Sequence, residues 1–315
     1  MTSSTQTAQP FRLFEVELTA RTRLSENFAR FTFTGPTLDR FADNGYDQRI
    51  KLMFPRPGEG FATLLASPDD WYTAWRELDD ESRPPMRTYT IRAVRPSLRE
   101  IDIDIVLHGL TGVASAWATT APIGSPLLIT GPNADFDGVH GGIDFHLPPR
   151  TGRVLVAGDE TALPAIANII EALPASTKGC VLLEVPADHD ATALPAHDGL
   201  DVIVVGRGDA LHGEALIPLV KQHAGRLLAD HADASALLEL EDVDVDEEML
   251  WEVPEDASAG SGDAAGQPET PLYAWLAGEA GVIKTLRRHL VAERGVDRRS
   301  VAFMGYWRSG KSEQN

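Results

Sequence analysis

The sequence predicts two domains: an N-terminal antiparallel β-barrel over residues 1–148 and a C-terminal α/β domain with a parallel sheet over residues 149–315. The first half contains short alternating strands separated by turns, which is typical of a small barrel. The second half alternates apolar strands with amphipathic helices, which indicates a parallel sheet. The two patterns meet at the linker "HLPPR", and the chain is long enough for each domain to bury its own core.

The strands of the predicted barrel follow from period-two alternation of apolar and polar residues. The stretch "FRLFEVELTARTRLSENFARFTFTG" holds two alternating runs around a polar turn near residues 25–27, and "QRIKLMFP" is a strand that Pro55 ends. The stretches "MRTYTIRAVR", "REIDIDIVLHG" and "SPLLITGP" are predicted as further strands. A helix, "TGVASAWATTA", is predicted between the last two.

The stretch "RTYTIR" carries more hydrogen-bond donors than a strand needs for packing alone. Alternation puts Tyr89 and Ile91 on one face and Thr88 and Thr90 on the other, with an arginine at each end. We therefore predict that this strand binds a ligand rich in polar groups.

The elements of the second half alternate in type. The stretch "GRVLVAGDETALPAIANIIEAL" predicts a strand, a tight turn and a helix, and "KGCVLLEVPADHD" and "LDVIVVGRGD" predict two strands. A helix follows in "GEALIPLVKQHAGRLL" and a strand, turn and helix in "LYAWLAGEAGVIKTLRRHLVAERG". The last strand is "SVAFMGYWRSG".

The formal net charge of -19 argues against general binding of nucleic acid. Residues 230–269 hold fourteen Asp and Glu and no Lys or Arg, and the rest of the chain carries only -5. We predict an acidic, partly flexible insertion there, because "DASAGSGDAAGQPE" is rich in small residues. The alternative is a docking surface for a basic partner.

The sequence shows no membrane span, since no run of about 18 apolar residues occurs. The N-terminus has no basic region followed by an apolar one, so we predict no secretory signal. The single cysteine, Cys180, excludes an internal disulfide and a cysteine-based cluster. The histidines lack metal-ligand spacing, so we predict no protein-bound metal. We expect a cytoplasmic protein that is a monomer or a weak oligomer.

The stretch "HGLTGVASAWA" begins where a predicted strand ends, at His108. Gly109 and Gly112 permit a tight turn, and the small residues Ala114 and Ser115 open a helix. Free N–H groups at such a start attract a diphosphate. A plain strand-to-helix turn is the alternative, and His108 is either a core histidine or a cofactor contact. The nearby Arg87 could pair with the same diphosphate, which favours a flavin dinucleotide as the ligand.

Five blocks together resemble the siderophore-interacting protein family, the flavin-dependent ferric-siderophore reductases of the vibriobactin-utilisation type. They are "RTYTIR", "DIDIVLHGLTGVASAWA", "AGDETALPAI", "AWLAGE" and "GYWRSG", in the family's order over residues 11–310. The first block alone is shared across the ferredoxin-reductase superfamily, and "GDETALPA" is more specific. The resemblance implies a ferredoxin-reductase-like fold: an FAD-binding barrel followed by a domain for NADPH or NADH.

The resemblance also implies which residues hold the flavin. Its first block matches Arg87, Thr88, Tyr89 and Thr90, with Thr90 near the flavin N5 and the best candidate for a catalytic role. Its second block matches Val106, His108, Gly112, Val113, Ala114 and Ser115.

For the nicotinamide nucleotide, the resemblance implies the turn of Asp159, Glu160 and Thr161, where the G-x-G-x-x-G fingerprint is absent. Thr161 and free N–H groups there could seat a phosphate, while the carboxylates could instead cap the helix.

Arg207 matches an arginine near the adenosine end, which favours NADPH, or it is a surface arginine. Glu279 matches a position near the nicotinamide, or caps a helix. Trp307 could shield the flavin, or belong to the core.

Ferric siderophores are often anionic, so cations are expected around the substrate. Lys51 matches a family lysine, and Lys284 and Arg308 are further candidates. Many family members have a basic residue where this chain has Ala116, so the resemblance implies one cation fewer around the substrate here.

The resemblance implies hydride transfer from NAD(P)H to FAD and then single-electron transfer to siderophore-bound iron(III), releasing iron(II). One alternative is a flavin reductase or an electron-transfer reductase whose partner is a ferredoxin, although the acidic segment suits that partner poorly. The other is a non-catalytic protein that binds flavin or siderophore.

Overall fold

The computed structural model describes residues 8–310 apart from 57, 59, 111, 192–193, 230–249 and 255–269. It divides into two compact units between Ile143 and Asp144. The acidic insertion predicted at 230–269 lies outside the described residues except for 250–254. Within the described part of the chain, no helix has both the length and the apolar character needed to cross a bilayer.

The first unit is built on a curled, seven-stranded antiparallel sheet with the strand order β4-β3-β7-β1-β2-β6-β5. The strands are β1 (Phe11–Arg23), β2 (Phe28–Thr34), β3 (Arg49–Met53), β4 (Met86–Thr90), β5 (Ala93–Arg95), β6 (Glu100–Val106) and β7 (Pro126–Pro132). This half-barrel confirms the predicted antiparallel barrel class.

The sheet curls because the chain passes directly from one of its edges to the other. The Ile91 N–H donates to the Gln48 carbonyl, beside β3, and the next amide, Arg92 N–H, donates to the Asp102 carbonyl of β6. The prediction of "MRTYTIRAVR" as one strand was therefore wrong. It forms β4 and β5, which lie at opposite edges of the sheet because successive amides bond to different neighbours.

Strand β6 shows why alternation of Ile and Asp specifies a barrel wall. Its three isoleucines are fully buried in the barrel core. On the other face, Asp102 accepts two hydrogen bonds from Arg95, both of 2.7 Å, and Asp104 pairs with Arg30 at 2.7 and 2.9 Å. Burial on one face and ion pairs on the other fix the register of this strand.

Three helices accompany the barrel: α1 (Gly60–Ala66), α2 (Trp71–Glu77) and α3 (Val113–Thr120). The sequence predicted α3, whose Trp117 packs on the barrel core. It did not predict α1 and α2, which lie between β3 and β4. These helices bury Leu64 and Trp75 in a second, smaller core that includes Met53 and Leu128 of the sheet.

The second unit contains a six-stranded sheet with the order β10-β9-β8-β12-β13-β11. Its strands are β8 (Thr151–Gly158), β9 (Gly179–Val185), β10 (Leu200–Gly206), β11 (Trp251–Glu252), β12 (Thr270–Glu279) and β13 (Val301–Trp307). The sheet is parallel as predicted, except that β11 pairs antiparallel with β13. The predicted parallel sheet is thus a mixed one, because a short strand from the acidic segment adds to its edge.

Among the described residues, three α-helices connect these strands: α4 (Leu163–Ala172), α5 (Leu216–Leu228) and α6 (Ala280–Arg287), which continues as a π-helical turn over Arg288–Glu293. The chain builds outward from β8 through β9 to β10, returns to β12 beside β8, and continues to β13 on the other side. The carboxyl ends of β8 and β12 therefore form a topological switch point, where open α/β sheets bind their ligands.

Candidate functional site

In the first unit, Arg87 and Tyr89 lie on the inward face of β4. In the β3–β4 register they oppose Leu52 and Ile50, which belong to the barrel core. Tyr89 packs against that core, and so do Val113 and Ala114 at the start of α3. The structure thus brings Tyr89 of the predicted motif and the predicted helix start to one hydrophobic core.

Thr88 and Thr90 occupy the opposite face of β4, which confirms the predicted alternation. The Lys51 ammonium donates to the Thr88 hydroxyl at 2.6 Å, and Arg49 opposes Thr90 in the register. Thr90 is 5% exposed, whereas Lys51 is exposed. Lys51 therefore shares a face with the two threonines and not with Tyr89.

The turn before α3 is open on its outer side. Gly112, the N-cap of α3, has φ +83, and Gly109 has φ +70. Both values favour glycine, and a Cβ at either position would meet nothing within 4 Å. The N–H groups of the first turn have no partner within the helix itself. This backbone can approach a bulky anionic group closely.

Ser115 holds that turn together from inside the helix. Its buried hydroxyl accepts the His108 N–H and donates to the Gly109 carbonyl, each at 2.9 Å. The Ser115 hydroxyl is therefore engaged by the backbone of the turn. His108 itself is exposed, so the alternative of a core histidine was wrong, and Val106 ends β6 just before it.

In the second unit, Asp159 lies at the switch point and its carboxylate accepts four hydrogen bonds. Its Oδ1 accepts the Thr161 N–H at 2.9 Å and the Thr161 hydroxyl at 2.5 Å. Its Oδ2 accepts the Glu279 N–H at 2.7 Å and the Trp307 indole N–H at 2.8 Å. One buried carboxylate therefore joins the carboxyl ends of β8, β12 and β13.

Glu160 is the centre of a buried ion-pair network at the same edge. Both its oxygens accept from Arg207 at 2.8 Å, and Oε1 also accepts from the His212 Nε2 at 3.0 Å. The guanidinium of Arg207 lies 3.5 Å from the carboxylate of Glu184. The Glu184 carboxylate also accepts hydrogen bonds from the backbone N–H groups that lead into α5. Although three carboxylates gather here, the described residues contain no cluster that could hold a metal ion.

The pKa values of the two adjacent carboxylates are shifted in opposite directions. Burial, and the charge of the neighbouring Glu160, raise the pKa of Asp159 despite its hydrogen bonds. Burial would raise the pKa of Glu160 too, but the hydrogen bonds from His212 and Arg207 and the charge of Arg207 lower it below the usual range. Glu160 is therefore ionised at neutral pH.

Two predictions for this edge need correction. The phosphate seat at Thr161 is not available, because Asp159 takes both the N–H and the hydroxyl of that residue. Arg207 is neither a surface arginine nor free for a 2′-phosphate, because its side chain is 9% exposed and its guanidinium is held by Glu160 and Glu184. The prediction that Asp159 caps the following turn is confirmed.

Glu279, the last residue of β12, caps α6 by accepting the Val282 N–H at 3.0 Å. Helix capping was one of the two roles predicted for this residue. Trp307 ends β13 and is half-buried, and Arg308 follows it at the same edge. Lys284 lies further along α6.

Sequence reasoning missed two members of the network, Glu184 and His212. A lone acidic residue inside the apolar strand "CVLLEV" was a usable signal for a buried, paired carboxylate. His212 offered no such signal, because it lies in a loop and meets Glu160 only through the fold.

Gly278 allows Asp159 to reach the end of β12. Its φ is +152, and a Cβ there would lie 2.6 Å from the Asp159 Oδ2. We expect Gly278→Ala to displace that carboxylate and lower the free energy of unfolding by about 1–3 kcal/mol. Denaturant unfolding would measure this, with Gly225→Ala on α5 as the matched control. Equal stability of the two variants would contradict the assigned contact.

Comparisons with known proteins give matches to both units of the chain. The family model described as the siderophore-interacting FAD-binding domain matches residues 17–136, and the one described as siderophore-interacting protein matches residues 151–310. The ferric vibriobactin reductase ViuB of Vibrio cholerae is 28% identical over 291 residues, covering 92% of this chain and 88% of ViuB. An uncharacterized protein of Mycobacterium tuberculosis is 32% identical over 320 residues, covering 97% and 93%.

A third relative, the NADPH-dependent ferric-chelate reductase of Escherichia coli, is 32% identical over 152 residues, which is 48% of this chain and 53% of that enzyme. Among solved structures, the siderophore-interacting protein SipS from Aeromonas hydrophila has a TM-score of 0.64 at 28% identity, covering 96% of this chain and 94% of SipS. The ferredoxin reductase of carbazole 1,9a-dioxygenase has a TM-score of 0.53 at 16% identity, covering 95% of this chain and 71% of the reductase chain, which shows a ferredoxin-reductase-like fold.

Proposed function

Because the chain belongs to the siderophore-interacting protein family, we propose that it is a flavin-dependent ferric-siderophore reductase that takes electrons from NADPH or NADH. Its N-terminal unit is an FAD-binding domain. Two of its relatives are ferric reductases by name, one of them NADPH-dependent. The observation that carries the proposal is that one chain combines this barrel with a doubly wound sheet whose switch point carries polar side chains.

The residues of the first unit fit FAD by their chemistry. The Arg87 guanidinium and the open, glycine-flanked start of α3 suit a diphosphate, and the Tyr89 ring suits an aromatic system. We assign Thr90, the buried last residue of β4, to the N5 edge of the flavin. Bound FAD would accept a hydride from the nicotinamide and pass electrons singly to the iron(III) of the substrate.

In the second unit, the switch point is the proposed site of the nicotinamide nucleotide. Trp307 and Glu279 present a half-buried ring and a carboxylate there. Arg207 acts on this site only by neutralising Glu160 and Glu184. Release of the iron needs no acid–base residue. Hard-oxygen chelators hold iron(II) less tightly than iron(III), so reduction is enough to release the metal.

The substrate is the ferric complex of a siderophore, and we place its reduction in the cytoplasm. Lys51 is the proposed cation in the first unit, and Arg308 and Lys284 are those in the second. The ammonium of Lys51 is exposed and held in place by Thr88, so it can attract an anionic chelate.

We expect Lys51→Glu to raise the KM for an anionic ferric siderophore on the order of tenfold, because charge reversal costs about 1.4 kcal/mol of attraction at such a site. Steady-state kinetics at low salt would measure this. Glu17→Lys, on β1 of the same unit, is the charge-change control. Unaltered kinetics of Lys51→Glu would remove this lysine from the substrate site.

The proposed function is tested by an absorption spectrum of the purified protein, recorded before and after anaerobic addition of NADPH and then of a ferric siderophore. We expect a flavin spectrum that bleaches with NADPH and returns with the chelate. Bleaching that only free flavin or a ferredoxin reverses would favour the flavin reductase or ferredoxin-linked alternative. A flavin spectrum that neither NADPH nor NADH bleaches would favour a carrier.

A further inference from the structure

His212 contacts two members of the switch-point network at once. Its Nε2 lies 3.0 Å from the Glu160 Oε1, and its ring lies 4.6 Å from the Trp307 ring at an interplanar angle of 77°. Because the ionised Glu160 carboxylate only accepts, the Nε2 of His212 carries a hydrogen. The hydrogen bond to Glu160 therefore fixes the orientation of the imidazole. The imidazole ring meets the Trp307 indole in an edge-to-face arrangement.

Trp307 is held from two directions. Its indole N–H donates to Asp159 at 2.8 Å, while His212 contacts the ring. Trp307 is the last residue of β13 and is paired with Glu279 of β12 in the strand register. With the N–H fixed by one partner, contact with the imidazole restricts rotation of the ring about that hydrogen bond.

We propose that His212 is a positioning residue: it holds the Trp307 indole in place at the switch point, and its charge state determines how firmly the indole is held. The part of this inference that concerns the nicotinamide rests on the proposed function. It assigns His212 to the reductive half of the reaction, acting through Trp307 rather than on the reacting atoms.

The surroundings of His212 favour its charged form. Burial disfavours the imidazolium, but the hydrogen bond to Glu160 and the charge of that carboxylate outweigh burial, so the pKa of His212 is raised. The charged groups that act on it are Asp159 and Glu160 after β8 and Arg207 after β10, and Arg207 in turn pairs with Glu184 of β9. Of these, Arg207 opposes the imidazolium and the nearby carboxylates favour it.

The contact can be measured through the fluorescence of Trp307, because a protonated imidazole quenches an indole that it touches. The Trp307 signal is the difference between the wild-type protein and Trp307→Phe. In the protein without nucleotide, we expect this signal to rise with pH at a midpoint above about 6.5, the ordinary histidine value. The step should vanish in His212→Gln and persist in His223→Gln, a control on α5. A step with a midpoint above about 6.5 that persists in His212→Gln would overturn the proposal. Titration of Asp159, which accepts the indole N–H and whose pKa is raised to about 6, falls below that range.

The second measurement separates positioning from a purely structural role. We expect His212→Gln to raise the KM for NADPH by about tenfold with a smaller change in kcat, because a displaced indole misplaces the nicotinamide. His212→Phe keeps an aromatic contact and should recover part of that loss. Wild-type KM in His212→Gln would overturn the role in nucleotide binding. A wild-type protein that oxidises neither NADPH nor NADH would instead count against the proposed function, while the fluorescence step still decides the coupling of His212 to Trp307.

Discussion

Replacing Arg207 by alanine is expected to destabilise the second unit by about 3–5 kcal/mol, because it leaves Glu184 buried without its cation and leaves Glu160 with His212 alone. Glu160 is 1% exposed and Glu184 is not exposed at all, so water cannot replace the guanidinium. For a unit of this size the loss corresponds to a fall in Tm of about 10 °C. Calorimetry would measure the change.

Two further variants separate this structural role from phosphate binding. Arg226→Ala, at an exposed position on α5, should leave Tm almost unchanged. The double variant Arg207→Met with Glu160→Gln should be more stable than Arg207→Ala, because it leaves one buried carboxylate, Glu184, without the guanidinium instead of two. If Arg207→Ala kept its Tm and lost only its preference for NADPH over NADH, the arginine would be a 2′-phosphate ligand after all.

Arg87→Ala is expected to weaken FAD binding by about 10- to 150-fold, the equivalent of losing one charge-assisted interaction of about 1.5–3 kcal/mol. The variant should be colourless after dialysis, because Arg87 is the cation on the inward face of β4, beside Tyr89. The measurement is the flavin absorbance per protein before and after dialysis, with titration of FAD into the stripped protein.

The matched control is Arg76→Ala, which removes an exposed arginine from α2 of the same unit. We expect this control to retain its flavin. An Arg87→Ala protein that kept full flavin content after dialysis would remove Arg87 from the cofactor site and leave the start of α3 as its anion-binding part.

Much of the first unit could be predicted because its information is local. The alternation in β6 places isoleucines in the core and aspartates outside, and the two faces of "RTYTIR" are as predicted. The helices α1 and α2 were missed because each is only seven residues long, so its apolar spacing extends over about two turns. What stabilises them is the packing of Leu64 and Trp75 on the sheet, which is a tertiary contact.

By itself, the sequence determined the class of both units and the positions of most strands along the chain, because apolar period and turn residues act over a few positions. The residues at the switch point were named through the family resemblance. Only the tertiary structure decided how the polar side chains at that edge are used. Thr161 and Arg207 were predicted to face a phosphate, yet both are held by carboxylates, and His212 joins Trp307 from a distant loop. A buried charge must find its partner wherever the fold supplies one, and that partner is remote in sequence.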